Sequence, residues 1–201
     1  MRNAQSELTN KPPTRKQFQE IQHQTAAEKN DRGAAIMLAS NVQMTLKTAL
    51  LAYLDLDHFS NELFGHDSAP LATFENQIRM AHALGIIGDK TRTNLKLIKS
   101  VRNAFAHAIH PITFESPEIV DACARLESPL KTQEAQEGLG AKYAVKGPPA
   151  RRQFQSISND IAFALMVQAI RTMRPAPAKD FIPNFPPHED YVIVVRPPPL
   201  P

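Results

Sequence analysis

Arg102, Asn103 and His107 lie within a six-residue window and carry side chains suited to work on a phosphate: a fixed guanidinium charge, an amide and an imidazole. A histidine can move the proton of a ribose 2′-hydroxyl or of a leaving oxygen, and an arginine can stabilise charge building on the phosphoryl group. On the same stretch Arg92, Lys96, Lys99 and Asn103 recur at three- and four-residue spacing with no acid among them. One helix face is therefore cationic, and Arg92, Lys96 and Lys99 are the residues that would guide a nucleic-acid backbone to the site.

Helix geometry sets a condition on this chemistry. At about 100° per residue Asn103 and His107 share a face, whereas Arg102 and His107 stand about 140° apart. A homodimer in which a second chain contributes residues would bring such groups together. A structural reading stands beside this one. Arg102 lies about 20° from Leu95 on the helical wheel, close to the apolar side, where its charge calls for a carboxylate; Asp55, Asp57 and Asp121 are the candidates. His107 can equally cap carbonyls at a helix end, where the macrodipole favours its protonated form.

The elements that must position these groups follow from periodicity. Leu95, Ile98, Val101 and Phe105 give a helix over about 90–108 its apolar side, and Pro111 disfavours helical geometry at His110. Upstream, Leu71, Phe74, Ile78, Ala81 and Gly85 share one side of a helix beginning near Leu71, widened by Met80 and Leu84. Gly88 is expected to end that helix and Asp89 or Thr91 to cap the next. The small Ala81, Ala83 and Gly85 would admit a close neighbour, so residues 74–108 read as a tight helical hairpin.

Around the hairpin, Ala35, Ala39, Val42, Leu46, Ala49, Leu50 and Tyr53 form the stripe of a long central helix over 34–57. A helix over about 14–32, anchored by Phe18 and Ile21, follows a polar arm at 1–13. Ser116, Pro117 and Glu118 specify another helix start, running to about Leu126. Pro129, Gly138, Gly140, Gly147, Pro148 and Pro149 make 128–150 a long connection. Phe154, Ile157, Ile161 and Leu165 place a last helix over 150–172, and nine prolines with the β-prone run Tyr191–Val195 make 175–201 a partly extended tail. The expected fold is all-α, a compact multi-helix bundle forming a single helical domain over 14–174.

Composition narrows the function classes. At 201 residues the core needs no disulfide or metal to hold it. Cys123 is the lone cysteine, which excludes an intramolecular disulfide, fits a reducing cytosol and suits a small core position in IVDACARL. The N-terminus lacks a signal-peptide run and no window approaches the length of a membrane span, so the expected location is cytoplasmic, with no membrane partner. A net charge of +3 does not by itself argue for nucleic acid. The sequence has no Gly-rich phosphate loop, zinc-spaced Cys/His pair or nucleophile elbow. The pairs His58/His66 and His107/His110 lack an indicated third ligand, so neither metal nor cofactor is expected.

Two resemblances bear on function. The spacing Arg102-Asn103-x-x-x-His107 resembles the signature of the HEPN superfamily, helical and commonly dimeric proteins that include metal-independent ribonucleases. It implies an RNA-cleaving or RNA-binding site with Arg102, Asn103 and His107 as the reacting set. A longer block, Pro70 to Leu126, is similar to the mannitol operon repressor family and related bacterial helical proteins. Ile78, Ala81, Leu84, Gly85, Ile86 and Ile87 carry its first marker, Arg102 and His107 the second, and Phe114 with Ile119 the third. That resemblance implies an all-helical fold and a role in regulating transcription. Since no helix-turn-helix with a basic recognition helix is evident, the expected route is through a protein partner, as a homodimer, rather than direct sequence-specific DNA reading. A metal-independent endoribonuclease is the alternative.

Overall fold

Apolar residues spaced three and four apart give seven α-helices, and no strand, among the residues described by the computed structural model, 15–54, 60–65, 68–128 and 147–172. They are α1 (Arg15–Ala27), α2 (Asp31–Leu54), α3 (Ser60–Phe64), α4 (Phe74–Ala83), α5 (Asp89–His107), α6 (Pro117–Ala124) and α7 (Pro149–Thr172). The fold is all-α, as periodicity predicts. The N-terminal arm, most of the 128–150 connection and the proline-rich tail with Tyr191–Val195 lie outside the described residues.

α2 is the central helix. Its buried set includes Ala35, Ala39, Val42, Leu46, Ala49 and Leu50 from the expected stripe. Ala34, Leu38, Asn41, Thr45 and Thr48 are buried as well, so the helix is enclosed on more than one side. Thr45 and Thr48 satisfy their hydroxyls on carbonyls of their own helix, which lets them sit in the interior. By length and composition α2 could cross a membrane, contrary to the expectation that no window would; 61% of that apolar window is buried inside the protein, as a core helix requires.

α7 packs along α2, and both helices begin at the same end, where Arg151 meets Asp31. Phe154, Ile161, Ala162 and Leu165 line its buried side. Phe114, in the loop before α6, is fully buried between Phe105 of α5 and Phe154 of α7, with ring centroids 5.0 and 5.5 Å away and tilted geometry. Truncating such a ring to alanine costs about 3–5 kcal/mol, so this stack is a principal tie between the α5–α6 loop and the core.

The hairpin forms, but its turn differs from expectation. α4 is capped by Thr73, whose Oγ1 accepts from the Asn76 amide at 3.2 Å, and it ends at Ala83. Gly85 stops it by adopting φ +70°. The Ile86 amide donates to the Ala81 carbonyl at 2.9 Å and the Gly85 amide to His82 at 3.1 Å, the paired closure that a left-handed residue permits. Gly88 is instead the N-cap of α5, where neither Asp89 nor Thr91 had to serve. Only Ala81 of the three small residues faces inward; Ala83 and Gly85 are exposed. Met80, expected on the apolar side, is also 37% exposed.

Ser116 precedes Pro117 as expected, yet its hydroxyl accepts from the Thr113 amide at 3.1 Å, bracing the incoming loop instead of α6. Cys123 fills the core position assigned to it, and burial pushes its thiol up to about 12, so the thiolate nucleophile is suppressed.

Candidate functional site

α5 positions the residues singled out for chemistry. Leu95, Ile98, Val101 and Phe105 are buried, with Asn94 and Leu97 beside them, which fixes the rotation of α5 about its axis. Arg102 is half-buried and its Nη1 donates to Asn103 Oδ1 at 3.0 Å. Of the carboxylates considered for Arg102, Asp121 is exposed on α6, and Asp55 and Asp57 lie outside the described residues. His107 is exposed and is the last residue of α5, whose end is closed by the Ala108 amide donating to Ala104. The helix thus brings Arg102 and Asn103 together, with His107 about 140° around the axis from Arg102.

The cationic row is broken up by an acid from the other helix of the hairpin. Lys99 Nζ lies 2.6 Å from Glu75 Oε2 on α4, and Arg79 Nε lies 3.0 Å from Glu75 Oε1. Hydrogen bonds from Lys99 and then Arg79 hold the Glu75 carboxyl below the usual carboxylate range. Arg92 is half-buried, with its Nε enclosed and without a hydrogen-bond partner among the described residues, while Lys96 is exposed. The absence of acids from the row itself could not reveal Glu75, because only the hairpin brings α4 alongside.

A second polar centre, which periodicity did not indicate, lies where α2 and α7 begin. Arg151 is 7% exposed. Its Nη1 donates to Asp31 Oδ1 at 2.8 Å and to the Lys29 carbonyl at 2.9 Å, and its Nη2 donates to the Glu28 carbonyl. The other Asp31 oxygen accepts from the Phe114 amide at 3.0 Å. One guanidinium and one carboxylate therefore tie together the α1–α2 loop, the start of α2, the loop before α6 and the start of α7. The only sequence signal was an arginine and an aspartate each in the first turn of a long helix, neither pointing to the other.

Beside this clasp, Lys29, Asn30, Asp31 and Arg32 face Ile109, His110, Pro111, Ile112 and Thr113 across an open cleft of about 580 Å³. Arg32 Nη2 donates to the Ala108 carbonyl at 2.7 Å, so the loop that follows α5 is held at its start by Arg32 and at its end by Asp31. Between these fixed points Ile109 is 94% exposed. Elsewhere Asn94 exchanges two hydrogen bonds with the backbone of Glu127, joining α5 to the segment after α6. Among the described residues no three His, Cys, Asp or Glu side chains are grouped to hold a metal ion.

No protein-family model matches this chain, and no curated protein matches it either. Among solved structures, the X-ray structure of the MtlR–HPr complex from Escherichia coli aligns with 78% of this chain and 98% of the other, at 15% identity and a TM-score of 0.49.

Proposed function

We propose that this chain is a cytoplasmic regulatory protein that works by docking a protein partner rather than by reading DNA or cleaving RNA. The observation that carries the reading is Ile109: a large aliphatic side chain 94% exposed on a loop pinned at both ends by Arg32 and Asp31. An exposed apolar anchor on a preorganised loop binds without the cost of ordering that loop, which is what a protein-recognition hot spot needs. The resemblance of residues 70–126 to the mannitol operon repressor family agrees with a regulatory role. On α5, by comparison, Lys99 is engaged with Glu75 and would have to leave that carboxylate to meet a phosphate.

The test is photo-crosslinking in the cell with a photoreactive residue at position 109 and, separately, at position 96. The expected result is a discrete protein adduct from position 109. A nuclease-sensitive adduct from position 96, together with metal-independent cleavage of unstructured RNA that His107→Ala abolishes, overturns the reading in favour of a ribonuclease. The homodimer belongs to the same proposal and is measured by sedimentation of the full chain.

A further inference from the structure

Resting on that reading, we infer that the cleft between residues 29–32 and 109–113 receives an acidic peptide segment bearing an aliphatic or aromatic side chain. The electrostatics follow from where the carboxylates point. Asp31 is the acid that lines the cleft, and both its oxygens are used inward, by Arg151 Nη1 and by the Phe114 amide. Glu28, one residue outside, accepts from the Asn30 amide at 2.8 Å, and its carboxyl end lies against Gly33. Neither carboxylate is directed at an incoming ligand, while Lys29, Arg32 and His110 line the cleft and are exposed. Arg32 spends one donor on the Ala108 carbonyl and retains others, since a guanidinium carries five.

The apolar share decides the class of ligand. Ile109, Pro111 and Ile112 line the same cleft, and among the described residues that line it there is no phenylalanine, tyrosine or tryptophan on which a base could stack. A nucleic acid would find charge but no platform; an acidic peptide with one apolar side chain finds both its contacts. About 580 Å³ accommodates a few side chains, within the ordinary range for such sites.

Binding is measured on the full-length, isotope-labelled chain with the synthetic peptide Glu-Glu-Leu-Phe-Glu-Glu. Comparison ligands are its all-glutamine counterpart, a counterpart with alanine for leucine and phenylalanine, and a uridine oligonucleotide. The acidic apolar peptide is expected to shift amides at 29–32 and 109–113 and to bind about tenfold or more tightly than either peptide counterpart, with affinity falling as salt rises. Ile109→Ser, at an exposed position that leaves the core untouched, is expected to weaken binding about tenfold, and Lys29→Glu combined with His110→Glu by a similar factor. No saturable binding, equal binding of the glutamine peptide, binding unmoved by these variants, or preference for the oligonucleotide each overturns the inference. Failure here with a protein adduct still forming at position 109 removes the acidic-peptide specificity alone. Peptide binding without any protein adduct in the cell removes the regulatory reading instead.

Discussion

Arg102 and Arg151 are both arginines on long helices, and their surroundings separate the two polar regions of the molecule. Arg102 is half-buried and bonds the residue next to it. Arg151 is enclosed and bonds a carboxylate 120 positions away together with two backbone carbonyls. A charge at a surface can be satisfied by water and by whatever lies beside it, whereas an enclosed charge must be met by protein groups in defined places. Arg102 is thus available to change with little effect on folding. The clasp at the start of α2 and α7 instead determines the shape of the cleft beside it.

The largest test of this contrast is Arg151→Met. Leaving the Asp31 carboxylate without its cation and two carbonyls without donors should cost about 3–5 kcal/mol, read by denaturant unfolding. A loss below about 1 kcal/mol would put Arg151 in the same class as Arg102. Next comes Gly85→Ala in the hairpin turn. Nothing lies within 4 Å of the added Cβ, so backbone strain at φ +70° alone should destabilise the chain by about 1–2 kcal/mol in the same assay.

A smaller effect is expected at the Glu75 ion pairs. Because Lys99 and Arg79 lower the folded-state pKa of Glu75, the stability they supply is present above its ordinary value of 4.5 and is lost as pH falls through the lowered folded value. Glu75→Gln should flatten that part of the stability–pH curve while costing less than about 1 kcal/mol at neutral pH. The smallest change is expected for Arg102→Ala and His107→Ala, each within about 0.5 kcal/mol of the parent in unfolding experiments. A loss of several kcal/mol at Arg102 would favour the buried-ion account of that residue and erase the contrast between the regions.

Much of the hairpin was legible in the residues themselves. Leu95, Ile98, Val101 and Phe105 define the buried side of α5, and Pro111 together with the end of the pattern brings its close near His107. The turn was less legible: Gly85 and Gly88 are both acceptable stops, and the choice depends on which of them the closing hydrogen bonds can use. The candidate site divides in the same way. That Arg102, Asn103 and His107 occupy one helix end is a property of spacing, while the identity of the partner of Arg102 is not.

The sequence by itself determined the all-α class, most of the helices and the apolar residues that form their buried sides, because helical periodicity is a local property written within each segment. Only the tertiary structure decided that Glu75 neutralises Lys99, that Asp31 serves both Arg151 and Phe114, and that the 109–113 loop is held beside Lys29 and Arg32. Each of these joins groups from different segments across the packed helices. A charge specifies that some partner is required, but packing selects which one comes within reach.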